Sequence, residues 1–354
     1  MVRECRMGIF ALGLAALVAA VALVSAPRAE AALYISHHHD IALAGLDGEG
    51  LIPTFMRFDL SEDQLETPTA VHNGYLYWVD EVQGLIGRVK VDGSDMQPGF
   101  VSVPPGSQDL APISVTVSDA GIFWGTLGRF SKQSGPIGRA DLNGANVDPD
   151  FINTSPTHSI GGPIANDSHI YWTGGRNFGS PTGTIGRANV DGSGVNPELI
   201  VFPDADNSAQ PGAISLSSSH IYWSRAVGSP NGIGRARLDG TEVEPLLFET
   251  SENSDIHGTA VAGGYLYWSF SGEDGVGRAN LNTGAVDQGF LSLSFSPSEI
   301  EADELVAGDD CEKAKKKLAK AKKKLKKAKD QNKGVKTAKK KVKKAKQAVQ
   351  EACA

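Results

Sequence analysis

Between residues 32 and 303 apolar and polar positions fall into short β-type runs separated by Gly and Asp-Gly pairs. The unit from Gly212 to Phe248 is representative. Ala213 to Ser217 predicts a short inner strand, His220 to Ser224 a second carrying an aromatic pair, Ile233 to Leu238 a third, and Val243 to Phe248 an outer one. Asp239-Gly240 joins the last two as a hairpin turn, because a tight turn needs positive φ and glycine adopts it without a steric penalty. Asp92-Gly93, Asn143-Gly144, Asp191-Gly192 and Asp47-Gly48 recur at the same place.

The unit repeats. All five tryptophans follow an aromatic residue, at Tyr77-Trp78, Phe123-Trp124, Tyr171-Trp172, Tyr222-Trp223 and Tyr267-Trp268. Each pair precedes an Ile/Val-Gly-Arg triplet ending at Arg88, Arg139, Arg187, Arg235 or Arg278, and those arginines are 51, 48, 48 and 43 residues apart. Such a period, filled with short strands, predicts propeller blades. The ends complete the count. Leu33 to Ser36, Ile41 to Leu46 and Leu51 to Phe55 read as strands two to four of a blade without its first strand, and Ser298 to Ala302 as a first strand without the rest. Joined, they predict an all-β, six-bladed β-propeller whose N- and C-terminal strands share one blade, which leaves no ring edge unpaired.

The aromatic pairs in Ile-Tyr-Trp-Ser and Leu-Tyr-Trp-Val-Asp contexts, with Ile-Gly-Arg-Ala-Arg-Leu-Asp-Gly at 233–240, resemble the YWTD (class B) repeats of low-density lipoprotein receptors, a family of extracellular six-bladed propellers. The resemblance covers most of residues 32–302 and implies a protein-binding, non-catalytic module. Two departures stand out: Thr-Asp follows no aromatic pair, Val79-Asp80 coming nearest, and Leu43 replaces the arginine in the shared blade. They leave the architecture intact, and a shared ligand does not follow from the resemblance. The aromatic pairs are expected to fill the wedges between blades, burying about 150–250 Å² each. At about 25 cal/mol per Å² this stabilises the ring by a few kcal/mol per side chain before entropy. The repeat arginines are expected to pair with carboxylates or carbonyls of the next blade.

Composition divides the chain. Residues 1–31 read as a signal peptide, with Arg3 and Arg6 before an apolar run from Ile9 to Val24 and Ala29-Glu30-Ala31 as a cleavage signal; a retained membrane anchor is the rival. A secreted or cell-surface, bacterial protein is the corresponding expectation. The net charge of -7 sums opposite regions: residues 32–310 hold 12 basic and 36 acidic side chains, whereas residues 311–354 hold 19 lysines against Glu312, Asp330 and Glu351. After a propeller at 32–303 and an acidic linker at 304–310, residues 311–354 predict an α-helical hairpin, an antiparallel coiled coil. Cys311, Ala314, Leu318, Ala321, Leu325 and Ala328 form one seam, and Val335, Ala338, Val342, Ala345, Val349 and Ala352 the other, about a turn at Asp330 to Gly334. Removal of Cys5 with the leader leaves Cys311 and Cys353 as an even pair, which the hairpin would bring together as a disulfide of about 4 kcal/mol in the chain-entropy account. So many lysines point to an anionic cell-wall or membrane polymer as the tail's partner; docking on the acidic propeller and a solvated spacer are the other readings.

Loops on a rigid scaffold are where binding concentrates. The longer segments, Gly125 to Gly135, Thr173 to Gly183, Pro203 to Pro211 and Ser224 to Gly232, all belong to the connections after strands two and four, so they share one face. That face would present a protein or glycan ligand with His37, His38, His39, Asp40, His158, Asp204, Asp206, Asp255 and His257. No cofactor follows from the residues alone. A divalent cation would need three of these groups to converge, and of three consecutive histidines on a strand no more than two aim one way. His72, His169 and His220 occupy packing positions. The chain contains no Gly-x-Ser-x-Gly, no His-Glu-x-x-His and no phosphate-cradling loop, so a non-catalytic binding module is the first reading. The alternative is a metal-dependent lactonase, hydrolase or lyase with acidic and amide ligands at the central channel, for which Asn166 is the one inner-end amide. Nucleic acid is not expected on so acidic a propeller.

Overall fold

The computed structural model describes residues 31–58, 69–104, 110–128, 135–153, 158–176, 183–202, 211–225, 231–250, 255–271 and 274–303, with scattered positions between 318 and 346. It is a six-bladed β-propeller, each blade an antiparallel sheet of four strands. Blade 1 comprises β4 (Thr69–His72), β5 (Tyr75–Asp80), β6 (Leu85–Lys90) and β7 (Gln97–Ser102). Blade 2 comprises β8 (Leu110–Ser118), β9 (Gly121–Gly128), β10 (Ile137–Ala140) and β11 (Asp148–Ile152). Blade 3 holds β12 (His158–Ala165), β13 (His169–Arg176), β14 (Gly183–Asn189) and β15 (Asn196–Phe202). Blade 4 holds β16 (Pro211–Leu216), β17 (His220–Arg225), β18 (Gly232–Arg237) and β19 (Glu244–Glu249). Blade 5 holds β20 (Ile256–Ala262), β21 (Tyr265–Phe270), β22 (Gly275–Asn280) and β23 (Val286–Ser292). The sixth sheet runs β24 (Glu299–Asp303), β1 (Ala32–His37), β2 (Asp40–Gly45), β3 (Ile52–Arg57), with Ala32 opposite Asp303 and Ser36 opposite Glu299. Each first strand packs on the first strands of both neighbouring blades, β24 on β20 and β4.

Side-chain complementarity inside each blade explains the Trp and Ile/Val-Gly-Arg spacing. Trp78, Trp124, Trp172, Trp223 and Trp268 are buried, and each lies opposite the glycine of its triplet, at Gly87, Gly138, Gly186, Gly234 and Gly277. A Cβ on any of these glycines would sit 2.1–2.3 Å from the indole. Blade 6 changes both partners together: Ile35 stands in the tryptophan position and Ala42 opposite it. A smaller side chain leaves room for the methyl group, so the missing tryptophan is a coupled exchange that keeps the blade packed. In all six blades the register between the third and fourth strands shifts at this position, a bulge that lets the outer strand twist away.

A serine after the Tyr-Trp pair, or after Tyr34-Ile35 in blade 6, has its own role. Ser36, Ser224 and Ser269 are fully buried, and their hydroxyls accept the backbone N–H of Glu299, Ala213 and Gly258 on the first strand of the same blade, at 2.9–3.0 Å. They satisfy inner amides that the sheet ladder leaves over. The hairpin turns between third and fourth strands have the expected backbone, with φ from 79° to 87° at Gly48, Gly93, Gly144, Gly192 and Gly240.

Strand limits lie within about two residues of those read from the sequence, except that β9 and β13 run on to Gly128 and Arg176, into segments expected as loop. Residues 1–30, the linker at 304–310, Cys311, Cys353 and most of the hairpin lie outside the described residues; residues 339–344 are helical. Among the described residues no helix is long and apolar enough to cross a membrane.

Candidate functional site

An antiparallel blade sends its connections alternately to two faces. Connections from first to second and from third to fourth strands share one face and are short and uniform. The others share the opposite face and vary, from two residues between β1 and β2 to eleven between β3 and β4. The uniform face carries the repeat arginines. Arg88, Arg187 and Arg278 each donate to a carbonyl in the neighbouring blade's turn, Leu142 at 3.5 Å, Leu238 at 3.0 Å and Leu46 at 3.3 Å. Tyr171 and Tyr267 hydroxyls donate to the same carbonyls of Leu238 and Leu46. The Arg88 guanidinium also lies 3.6 Å from the Phe100 ring centre and that of Arg278 4.0 Å from Phe290. These arginines are blade-to-blade clamps. Arg139 turns to the Ala120 carbonyl of its own blade, and Arg235 to Glu244 at 2.5 Å. Beside Arg235 the turn of blade 5 is one residue longer, with Asn280 N–H reaching the Ala285 carbonyl, and a cavity of about 540 Å³ opens between blades 4 and 5.

The variable face surrounds one mouth of the central channel. There a cavity of about 260 Å³ is lined by Thr69 of β4, Ser114 and Val115 of β8, Gly162 to Ile164 of β12, Gly212 to Ile214 of β16, His257 to Thr259 of β20, and Glu299 to Glu301 of β24. Five of these segments lie in the first half or middle of their strands, towards the variable face. Glu299 and Glu301, two residues apart on a strand, project to the same side. A carboxylate oxygen of Glu299 accepts the Thr69 N–H of blade 1 at 3.1 Å, bridging the two blades. Burial, reinforced by the charge of Glu299, holds the Glu301 carboxyl well above the usual carboxylate range. The Thr69 and Thr259 hydroxyls are buried with no hydrogen-bond partner among the described residues.

Three of the residues expected to offer a metal site, His37, Asp40 and His257, have other partners. His37 stacks on Phe295 with ring centres 3.8 Å apart, and its Nε2 lies 3.1 Å from the Pro53 carbonyl. Asp40 receives two hydrogen bonds from Arg57, both at 2.6 Å, and these hold its carboxyl below the usual range. His38 forms the β1–β2 turn with φ 48°, followed by His39. Asp255 is exposed, and His257 reaches the channel with Nε2 3.0 Å from the Ser271 hydroxyl. Asp204, Asp206 and the side chain of His158 lie outside the described residues. Among the described residues no three His, Cys, Asp or Glu side chains gather to hold a metal ion. Asn166, expected at the channel, instead closes the β12–β13 turn on the uniform face, where its Oδ1 accepts the N–H groups of Ser168 and His169. The residues the sequence reading missed are Glu299 and Glu301. Their signal was present: the positions matching Glu301 on the other first strands, opposite the first aromatic of each pair, are Ala70, Thr116, Ile164, Ser215 and Ala260, none of them charged.

No protein-family model matches the chain, and no curated protein matches it. Solved structures do. A chain of a nidogen/laminin complex superposes with a TM-score of 0.55 at 17% identity, covering 77% of this chain and 98% of that one. A TolB-type protein from Agrobacterium tumefaciens superposes with a TM-score of 0.51 at 15% identity, covering 76% and 90%. At these identities the likeness is one of fold, and the fold it supports is the six-bladed propeller.

Proposed function

We propose that this chain is a secreted or cell-surface binding module of the YWTD propeller kind, presenting its variable face to a protein or glycan ligand. The observation that carries the reading is the asymmetry of the connections. One face is held to a uniform pattern by turns and clamps, while the other varies in length and composition from blade to blade. Variation on a rigid scaffold is how binding surfaces are built. That a similar propeller belongs to the nidogen/laminin complex supports a protein as the ligand. The lysine-rich residues 311–354, on our reading a disulfide-closed helical hairpin, supply attachment to an anionic surface polymer.

The test replaces residues 203–210 and 226–230 of the full chain with Gly-Ser segments of equal length and probes both proteins on arrays of extracellular proteins and polysaccharides. Binding by the parent chain that the replaced chain loses supports the reading; equal binding by the two counts against it. A second reading, a metal-dependent hydrolase or lyase, is favoured by one observation, the presence of two carboxylates and His257 in a single cavity. Stoichiometric metal in the purified protein, together with turnover in a lactone screen, would select it.

A further inference from the structure

The channel combines features that the ring itself does not need. Its cavity is lined by Glu299 and Glu301, by apolar residues such as Val115, Pro163, Ile164 and Ile214, and by the polar Ser114 and His257, with no lysine or arginine among the described residues. At about 260 Å³ it lies just under the range of about 300–1,000 Å³ usual for small-molecule sites, so it would suit a small ligand. A buried carboxyl with no cation beside it is costly, as is a buried hydroxyl without a partner. Glu301, half-buried, has no cation beside it among the described residues, only the like charge of Glu299. Thr69 and Thr259, 2% and 7% exposed, line the same cavity, and their buried hydroxyls have no partner among the described residues.

We propose that the central channel is a binding pocket for a small organic cation, a primary ammonium seated on Glu301 and Glu299 with its carbon skeleton against the apolar wall. A hard divalent ion fits less well. Calcium takes six to eight oxygen ligands, and here both carboxylates come from one strand; His257 lines the same cavity but its Nε2 lies 3.0 Å from the Ser271 hydroxyl, and among the described residues no three such groups gather to hold a metal ion. An ammonium has three N–H donors, which two carboxylates and a threonine hydroxyl satisfy, and its charge removes the repulsion between the two acids. The pocket lies within the ring, so the proposal stands whether or not the variable face binds a macromolecule.

Calorimetric titration of the full chain tests it with named probes: n-butylammonium and 2-phenylethylammonium chlorides, the neutral alcohols 1-butanol and 2-phenylethanol, and calcium and magnesium chlorides. The expected result is saturable binding of an ammonium probe at one per chain, none of its alcohol, and affinity weakened about tenfold or more by Glu301→Gln, the loss of one charge-assisted hydrogen bond. The comparison of ammonium with alcohol needs no variant, so it stands even where Glu301→Gln folds poorly. Equal binding of ammonium and alcohol, no binding of either ammonium at millimolar concentration, unchanged affinity in Glu301→Gln, or calcium or magnesium binding that an ammonium probe does not compete with would each overturn it.

Discussion

At the scale of single residues the chain is governed by pairs. The indole of Trp172 rests on Gly186, and a methyl group added there would meet it at 2.3 Å. We expect Gly186→Ala to destabilise the fold by about 1–3 kcal/mol through overpacking. Trp172→Ile in the same chain should recover part of that loss, because Ile35 opposite Ala42 is the natural form of this pair. A double-mutant cycle by urea denaturation measures the coupling; additive losses would contradict it. Glu301 gives a second prediction. Its folded-state pKa is raised, so the folded protein holds a proton that the unfolded chain releases near pH 4.3. The associated stability is therefore complete below about pH 4.3 and is lost as the pH climbs through the raised value. Melting temperatures measured from pH 4 upward should show Glu301→Gln gaining on the parent as the pH rises; parallel curves would contradict the assignment. Residue roles were unevenly legible. The tryptophans announced themselves by recurrence, and their glycines with them, because each blade repeats a local contact. Glu299 and Glu301 occur once, in a strand that pairs with β1 and bridges to Thr69, both more than 200 residues away in sequence.

At the scale of elements, the wedge between two blades is the repeating mechanical unit. Arg187 and Arg278 close theirs by reaching a neighbouring carbonyl together with a tyrosine hydroxyl, whereas Arg235 holds only its own blade's Glu244 among these contacts. Arg187→Ala and Arg278→Ala should each cost about 1–3 kcal/mol, since a half-buried carbonyl loses its charged donor and keeps only the tyrosine hydroxyl. Arg235→Ala removes a partly exposed ion pair and should cost less than about 1 kcal/mol. Chemical denaturation of the three variants checks the order, and an equal loss in all three would contradict the clamp. Strand positions were readable because Asp-Gly turns and aromatic pairs fix both ends of the second and third strands. The extensions of β9 and β13 were not, since Gly125 to Gly128 and Thr173 to Arg176 carry no alternation of their own and are held by pairing with β8 and β12. The spread of the expected histidines and aspartates had the same origin, because convergence on a ring depends on which strand ends meet.

At the scale of the whole molecule, opposite charges are separated along the chain: an acidic propeller is followed by a strongly basic segment. Surface attachment through that segment predicts co-sedimentation with anionic cell-wall material at low salt and release as salt screens the contact, with loss on truncation after residue 310. Retention of the truncated chain would assign attachment to the propeller instead. The ring itself makes every channel and face assignment meaningful, and its seam is the pairing of β24 with β1, tied also by Ser298 N–H to the Ser36 carbonyl at 2.8 Å. Hydrogen–deuterium exchange resolved to residues 32–37 and 299–303 tests that seam most directly. Protection of both segments comparable to that of β5 and β21 is the predicted result; rapid exchange throughout 299–303, with β1 behaving as a free edge, would contradict the closed ring.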